Sequence, residues 1–445
     1  MYDFCINGGG MVGAALALGL AQQNYRVVVI EPNQPNAFEV EQGPDLRVSA
    51  ISEASVTLLK ALGAWTNIEK MRLKPYVGLS VWDNPKHRTD FTAKSIDVPQ
   101  LGYFVENRLL QLACHEALTQ HENVTIIFNE KIDNIALSSE SSSSDLTPGS
   151  ELTHSSKLTP SPKTDNNPSI DEESSSETST LEQSVCITLS SVSKSSVTES
   201  SNTQIQAKWL IGADGARSQV RQFAGIGTSG WQYGQQAMGI TVKMAKETQA
   251  ITWQQFTPTG PKAFLPMFDE YASLVWYNSP EELKRLKGLN STQLKNEVIN
   301  AFPNELTQNE NDFSIIDKAA FPLTRMHASE YVRERVILIG DAAHTINPLA
   351  GQGVNIGFRD VQALLEVTAK RHDVTSQVFF KALKNDYEKP RKRDNLLMMS
   401  AMDGFYTLFS NDIAPIKWIR NQLLSVAERA GPIKKEVLKY AIGMR

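Results

Sequence analysis

The N-terminal residues place a glycine-rich turn between two apolar strands. The strand YDFCI is followed by NGGGMVG, by the helical pattern AALALGLAQQN and by the β-branched strand RVVVIE. Gly8, Gly10 and Gly13 have the spacing G-x-G-x-x-G, and Glu31 ends the second strand 18 residues after Gly13. These glycines allow a tight turn and the close approach of a pyrophosphate at a helix N-terminus. The unit predicts an α/β fold with a dinucleotide site in which Glu31 accepts from ribose hydroxyls.

Glu31 also restricts which dinucleotide fits the site. A carboxylate at this position repels a 2′-phosphate, so the sequence disfavours NADP and leaves NAD and FAD open. Taken alone, the unit is compatible with an NAD-dependent dehydrogenase.

A second glycine-rich stretch, GDAAHTINPLAGQGVNIGFRD, starts at residue 340 directly after the apolar strand RVILI. Asp341 is placed to bind a polyol hydroxyl, and Pro348 offers a flat apolar surface. The backbone N–H groups of 351–355 converge at a helix N-terminus, where they stabilise negative charge on a ring carbonyl. The stretch therefore predicts a cradle for a flat, redox-active heteroaromatic ring. We interpret His344 as a structural histidine of this turn.

A third stretch lies between these two. The sequence GADGARSQVR, at 212–221, places Asp214 and Gly215 at a strand-to-helix turn, with Arg217 and Arg221 close by. By itself it is an ordinary Asp-Gly turn.

In this order and spacing, the three stretches resemble the FAD-dependent aromatic-ring monooxygenases of the p-hydroxybenzoate hydroxylase fold group. The stretch NPLAGQGVNIGFRD resembles the signature of the ubiquinone-biosynthesis hydroxylases, with Asn347 where the broad signature has His. With Asn at this position, the stretch resembles the branch of these enzymes that hydroxylates demethoxyubiquinol, a 2-polyprenyl-3-methyl-6-methoxy-1,4-benzoquinol. The stretches PDLRVSAIS, WQQFTPTGPKAFLPMFD and FPLTRMHA resemble the same branch.

The resemblance implies FAD as cofactor, with O2 and a reductant (NADH, NADPH or a reductase partner) as co-substrates. A flavin C4a-hydroperoxide would hydroxylate the benzoquinol. Two alternatives stay open: the same hydroxylation at another ring position of the pathway or on a catabolic phenol, and a scaffold without enzymatic activity. The residues expected to bind the cofactor are Gly8, Gly10, Gly13, Glu31, Arg47, Arg108, Asp214, Asp341, Pro348, Gly351, Gln352, Gly353, Val354 and Asn355.

Some of these residues have a more specific expected role. Arg47 and Arg108 would contact the phosphate–ribityl region, and Asp214 would face the pyrophosphate or a pyridine nucleotide. No acid–base residue is identified. Aromatic and apolar residues in the central strands are candidates to line the quinol pocket: Trp253, Phe256, Phe264, Pro266 and Trp276.

The predicted architecture is a Rossmann-like FAD-binding domain, a second, mainly antiparallel β-sheet substrate domain, and a helical C-terminal region. The FAD-binding domain takes four segments, 1–75, 105–138, 183–230 and 331–375. The substrate domain takes 76–104 and 231–330, and the C-terminal region takes 376–445. A Ser-rich insertion at 139–182 contains too few apolar residues to form a core, so we expect it to be disordered. The following SVCITLSS alternates as a strand does.

The net charge and the cysteine content indicate which binding partners and which cellular compartment to expect. A net charge of −5 gives no support for nucleic-acid binding. Three cysteines lie far apart without metal-ligand spacing, which indicates a reducing compartment, no disulfide and no metal.

No run of 18 apolar residues occurs, so we expect a cytoplasmic protein. Its polyprenyl substrate would come from a membrane, a lipid carrier or other ubiquinone-biosynthesis proteins, and the basic PIKWIRNQLL region (415–424) suggests contact with the inner face of the membrane.

Overall fold

The computed structural model describes residues 1–139, 183–192, 203–306, 312–346, 353–409, 422, 428 and 431–441. The strands in these residues are, in chain order, β1 (Tyr2–Asn7), β2 (Val27–Glu31), β3 (Val48–Ser52), β4 (Lys74–Tyr76), β5 (Gly78–Trp82), β6 (Thr89–Thr92), β7 (Gly102–Glu106), β8 (Val124–Phe128), β9 (Glu130–Ser139), β10 (Gln183–Ser191), β11 (Thr203–Gly212), β12 (Thr228–Met244), β13 (Ile251–Gln255), β14 (Lys262–Pro266), β15 (Tyr271–Asn278), β16 (Phe313–Ala328), β17 (Val332–Arg333), β18 (Val336–Leu338) and β19 (His344–Thr345).

The helices of the described residues follow the same chain order. They are α1 (Met11–Gln22), α2 (Glu53–Ala61), α3 (Trp65–Met71), α4 (Asn107–Leu118), α5 (Gln219–Phe223), α6 (Pro280–Gly288), α7 (Ser291–Ala301), α8 (Gly353–Ala369), α9 (Gln377–Ala382), α10 (Lys389–Phe409) and α11 (Gly431–Ala441). A π-helical turn, Leu383–Glu388, joins α9 to α10.

The first sheet has a parallel centre in the order β18-β11-β1-β2-β8, with β17 at one edge. Buried apolar side chains fill its strands on both faces, as parallel sheets require. Because these strands are parallel, their carboxyl ends lie at the same end of the sheet. The turns after β1, β11 and β18 and the last residue of β2 therefore come together there. Backbone hydrogen bonds continue the pairing beyond the strands, from Ala213 N–H to Asn7 O (2.9 Å) and from Ile339 N–H to Gly212 O (3.0 Å).

The second sheet has the order β19-β16-β12-β15-β14-β13-β5-β6 and is antiparallel except where β13 pairs with β5. Helices α6 and α7 cover one of its faces, where Leu283, Leu286, Leu294 and Val298 are fully buried. Strands β3, β7 and β4 form a small third sheet, in that order.

The predicted fold class is confirmed by this arrangement of a parallel α/β sheet, an antiparallel sheet and a helical C-terminal region. The strand predicted at SVCITLSS is also confirmed, as β10. Helix α2 begins at Glu53, directly after the residues that pair with β7 in the third sheet. The segment boundaries stay a prediction, and residues 140–182 lie outside the described residues. None of the described helices has the length and apolar character needed to cross a bilayer.

Strands β9 and β10 give a direct test of the insertion. Ser139 and Gln183 are partners in their antiparallel ladder, so the two chain ends flanking 140–182 are adjacent. Replacing 140–182 by Asn-Gly, which favours a two-residue hairpin, should keep the melting temperature within about 3 °C of the full chain. Calorimetry would measure this. A deletion of 136–186 removes strand pairs as well and should lower the melting temperature; equal losses in both variants would contradict the prediction.

Candidate functional site

The glycine turn after β1 is shaped by close backbone contacts. Gly8 has φ +104°, and a Cβ atom there would lie 2.5 Å from Ala213 O. A Cβ atom at Gly13 would lie 1.9 Å from Gly8 O. Gly10 differs, because a Cβ atom at this residue would meet nothing within 4 Å. The chain thus requires glycine at the first and third positions for its own packing and leaves open space beside the second.

That open space lies at the N-terminus of α1. Gly10 caps the helix without a side-chain hydrogen bond, and the first turn contains no acidic residue. The free N–H groups and the helix dipole therefore favour an anionic ligand, and the open side of Gly10 allows it to approach the backbone. These features fit the diphosphate of a dinucleotide.

Glu31 holds the same turn from the end of β2. Its carboxylate accepts hydrogen bonds from Gly9 N–H (2.9 Å) and Asn33 N–H (3.0 Å). Burial raises the pKa of Glu31, against the lowering effect of these two N–H groups. Contact of Glu31 with a ribose stays a prediction.

Two residues of α4 hold the turn from the opposite side, and the sequence analysis missed both. Gln111 Nε2 and His115 Nε2 donate to Gly9 O at 3.0 and 2.7 Å. Burial lowers the pKa of His115, which favours the neutral ring. Their i, i+4 spacing on a predicted helix was the available signal, because it places both side chains on one face.

Asp214 lies beside this turn, at the end of β11. One carboxylate oxygen accepts from Asn7 Nδ2 (3.0 Å) and Gln219 N–H (2.8 Å). The other oxygen, Oδ1, is buried with no hydrogen-bond partner among the described residues. Because an unpaired buried carboxylate oxygen costs free energy, this atom fits a site completed by a ligand. Nearby, Arg221 donates to Ala342 O (2.8 Å) and so joins the turn after β11 to that after β18.

Asp341 occupies the turn after β18. Gly340 has φ +56° and starts a short 3₁₀ turn, Gly340–Ala342. Asp341 is exposed to solvent, yet burial among surrounding protein atoms raises the pKa of its carboxyl group, while His344 and Arg47 lower it. Asp341 is thus exposed at the turn where a polyol hydroxyl is predicted to bind.

The helix α8 begins next to this turn. Gly353 and Val354 are half-buried at its start, and a Cβ atom at Gly353 would meet nothing within 4 Å. Asn355 is buried; its side chain accepts from Ser52 N–H (2.9 Å) and donates to Ala50 O (2.7 Å), so it anchors α8 to β3. The predicted cradle residues Pro348, Gly351 and Gln352 lie outside the described residues.

Arg108 lies in α4, where it holds a loop. It forms an ion pair with Asp45 (2.9 and 3.2 Å) and donates to the carbonyl oxygens of Asn36 (2.8 Å) and Ala37 (3.0 Å). These bonds fix the loop that leads to Arg47. Contact of Arg108 with the cofactor stays a prediction.

The predicted pocket aromatics lie on the helix-covered face of the second sheet. Trp253 stacks on Phe264 with ring centroids 5.6 Å apart, and Trp276 packs edge-on against Phe302 at 5.4 Å. Pro266, two residues after Phe264, is on the same side of β14. The structure corrects the prediction for Trp253, Phe264 and Trp276: strand alternation turns these three side chains toward α6 and α7, into the core. Phe256 instead stacks on Phe409 of α10 at 4.1 Å.

The opposite face of this sheet approaches the loop that carries Arg47. A Cβ atom at Gly239 of β12 would lie 3.6 Å from Phe321 and 3.9 Å from Leu46, the neighbour of Arg47. Val275 is the cross-strand partner of Gly239 and shares this face. Half-buried Val275 and Phe321 are therefore better candidates to contact a substrate. We name this surface, with Gly239, the cleft face.

The described residues contain no group of three or more His, Cys, Asp and Glu side chains arranged to hold a metal ion.

Comparison with known proteins agrees with this geometry. Residues 175–372 match the family model described as "FAD binding domain". The chain is 41% identical to the Escherichia coli protein named 3-demethoxyubiquinol 3-hydroxylase, over 99% of this chain and 98% of that protein. The chain belongs to the FAD-dependent ubiquinone-biosynthesis hydroxylases.

Two further relatives extend the comparison. The Rhodospirillum rubrum protein named ubiquinone hydroxylase UbiL is 32% identical, over 99% of this chain and 89% of that protein. The crystal structure of p-nitrophenol 4-monooxygenase PnpA from Pseudomonas putida has a TM-score of 0.73, covers 99% of this chain and 98% of that chain, and is 18% identical, so it supports the fold alone. Membership of this family makes the protein an FAD-dependent monooxygenase, and the NAD-dependent dehydrogenase alternative is excluded.

The two glycines of the turn should respond differently to the same substitution. Gly10 has φ −67°, which any residue adopts, so Gly10→Ala should leave the apoprotein as stable as the wild type. Its methyl group would occupy the open space, and FAD affinity should fall at least about tenfold, or 1.4 kcal/mol. Gly13→Ala should instead destabilise the apoprotein by about 1–3 kcal/mol through overpacking.

Flavin fluorescence titration and urea unfolding of the apoprotein would measure both quantities. Normal FAD affinity in Gly10→Ala would contradict the placement of the diphosphate beside this residue.

Proposed function

We propose that this protein inserts one oxygen atom of O2 into the ring of a polyprenyl benzoquinol, at the carbon that is open in demethoxyubiquinol. The observation that carries the proposal is the 41% identity, over almost the whole of both chains, to a protein named for this reaction. The geometry is compatible with it. Gly10, Asp214 and Asp341 occupy the turns after β1, β11 and β18. The apolar cleft face lies next to Leu46, the neighbour of Arg47.

The chain contributes binding and orientation. The backbone at Gly10 and the α1 N-terminus would hold the diphosphate, and Asp341 would accept from ribityl hydroxyls. Arg47, whose charge lowers the pKa of Asp341, would offset negative charge there. When bound and reduced, FAD supplies the activation of O2 that the protein's own side chains do not offer. The apolar residues of the cleft face would hold the quinol ring and keep water away from the reacting atoms.

Substrate delivery forms part of the proposal. A polyprenyl quinol is too insoluble to diffuse freely, so we propose peripheral contact with a membrane surface or transfer from another protein of the pathway. Support comes from α11, which is held against the protein by Leu438, buried in a cluster with Ala93 and Ile96, while Lys435 remains exposed. Exposed basic residues favour anionic lipid. Most of the basic PIKWIRNQLL segment lies outside the described residues.

A second candidate is the same hydroxylation at another carbon of the ring. It is compatible with the 32% identity to a protein named ubiquinone hydroxylase UbiL, a name that gives no ring position.

Adjacent residues of β15 allow a matched test of the cleft face. Val275→Trp should crowd the substrate and raise KM about tenfold or more, with FAD affinity unchanged, because overpacking costs about 1–3 kcal/mol. Trp276→Phe, on the helix-covered face, should lower unfolding free energy by about 1–2 kcal/mol with KM unchanged. Steady-state kinetics with a short-chain quinol would measure this. A normal KM in Val275→Trp would show that the substrate binds elsewhere.

The proposed reaction is tested by the quinone profile of cells that lack the protein. Mass spectrometry should show accumulation of the demethoxy quinone, reversed by the wild type and not by Gly10→Val or Asp341→Ala. Accumulation of an earlier intermediate would support the second candidate. A normal profile would contradict a role in this pathway.

A further inference from the structure

The helix that follows the cofactor site is interrupted at a specific place. Between α9 and α10, the π-helical turn Leu383–Glu388 directs two buried side chains at the hairpin of β17 and β18. Glu388 accepts from Tyr331 N–H and Val332 N–H, both at 2.8 Å, and Tyr387 OH donates to Leu338 O at 2.7 Å. Such π-helical turns occur often at functional sites. This one clamps the strand that ends immediately before Gly340.

Arg391 lies one turn further along α10 and is buried. Its Nε donates to Asp360 Oδ1 at 2.8 Å, and its Nη2 donates to Asn395 Oδ1 at 2.7 Å. Its Nη1 donates to Asp394 Oδ2, at the more exposed end of the guanidinium, also at 2.7 Å. The guanidinium is thus fixed on several sides.

Asp360, fully buried in α8, connects Arg391 to the cofactor turn. Its Oδ2 accepts from Gly340 N–H at 2.9 Å and from His344 Nε2 at 2.5 Å. The carboxylate of Asp360 therefore holds two residues on either side of Asp341: Gly340, directly before it, and His344, three positions after it. Burial alone would raise the pKa of Asp360, but His344 and Arg391 lower it to about 2, so the carboxylate is charged.

The energetics of this cluster argue for a geometric role. A buried ion pair gains little net stability, because the cost of removing both charges from water offsets their attraction. What it does supply is direction, since a fork of guanidinium donors and a carboxylate meet in few orientations. Gly340 adopts a left-handed conformation at φ +56°, which glycine reaches without strain, and its N–H is one of the groups that Asp360 fixes.

We propose that Arg391 is a positioning residue for FAD: through Asp360 it holds the Gly340–His344 turn so that Asp341 faces the cofactor. The proposal rests on FAD binding and is independent of the quinol substrate. Its failure can therefore be distinguished from failure of the proposed reaction. It also makes α10, outside the glycine-rich stretches, a functional part of the cofactor site.

The first test is Arg391→Lys, which keeps the charge and removes the fork. The dissociation constant of FAD, measured by fluorescence titration of the apoprotein well below its melting temperature, should rise about tenfold. Asp394→Asn is the matched control, because it removes another carboxylate partner of Arg391 and leaves the bond to Asp360. Its FAD dissociation constant should change less than about twofold.

A double-mutant cycle separates positioning from folding. Asp360→Asn, Arg391→Gln and the double variant are compared in FAD affinity and in urea unfolding of the apoprotein. The double variant removes both charges together and is expected to fold even where a single variant does not. Its FAD affinity should still fall about tenfold, because an amide offers one acceptor oxygen to Gly340 N–H, His344 and residue 391. Altered unfolding with wild-type FAD affinity in the variants would overturn the proposal and leave a purely structural ion pair.

Discussion

The candidate site depends on the parallel pairing of β18, β11, β1 and β2. This pairing brings four chain segments, distant in sequence, to the end of the sheet where the strands' carboxyl ends lie, and polar contacts then connect them. Asn7 reaches Asp214, Glu31 reaches Gly9, and Arg221 reaches Ala342. In an antiparallel arrangement neighbouring strands end at opposite ends of the sheet, so these groups would not lie together around a common ligand.

The second sheet uses its two faces for different tasks. The face with Trp253 and Trp276 packs against α6 and α7 and supplies the core of that domain. The cleft face carries Gly239 and the half-buried Val275 and Phe321, and it approaches the loop that leads to Arg47. The largest aromatic residues of the central strands therefore stabilise the domain, and a residue as small as Gly239 leaves room beside the site.

The sequence was most informative where backbone geometry restricts residue type. The G-x-G-x-x-G turn and the strand order β-turn-helix-β follow from glycine spacing and apolar pattern, and the structure describes both. Alternation identified strands but not the direction of each face, so Trp253, Phe264 and Trp276 were assigned to the wrong side. Helical spacing places Gln111 and His115 on one face of α4 but does not show that this face meets Gly9. The contact between Asp360 and Arg391 joins two helices distant in sequence, and a single sequence contains no signal for it.

The interleaved connectivity also determines the order in which the molecule can be completed during synthesis. Strand β1 can pair with β11 only after β11 has been synthesised. In the same way, the turn at Gly340 is complete only after the helix that carries Arg391 has been synthesised. A nascent chain thus holds an open parallel edge and an incomplete cofactor turn until most of its length has left the ribosome. Such long-range pairing slows folding and exposes apolar strands. We therefore expect newly made chains to depend on chaperones more than their size alone would suggest.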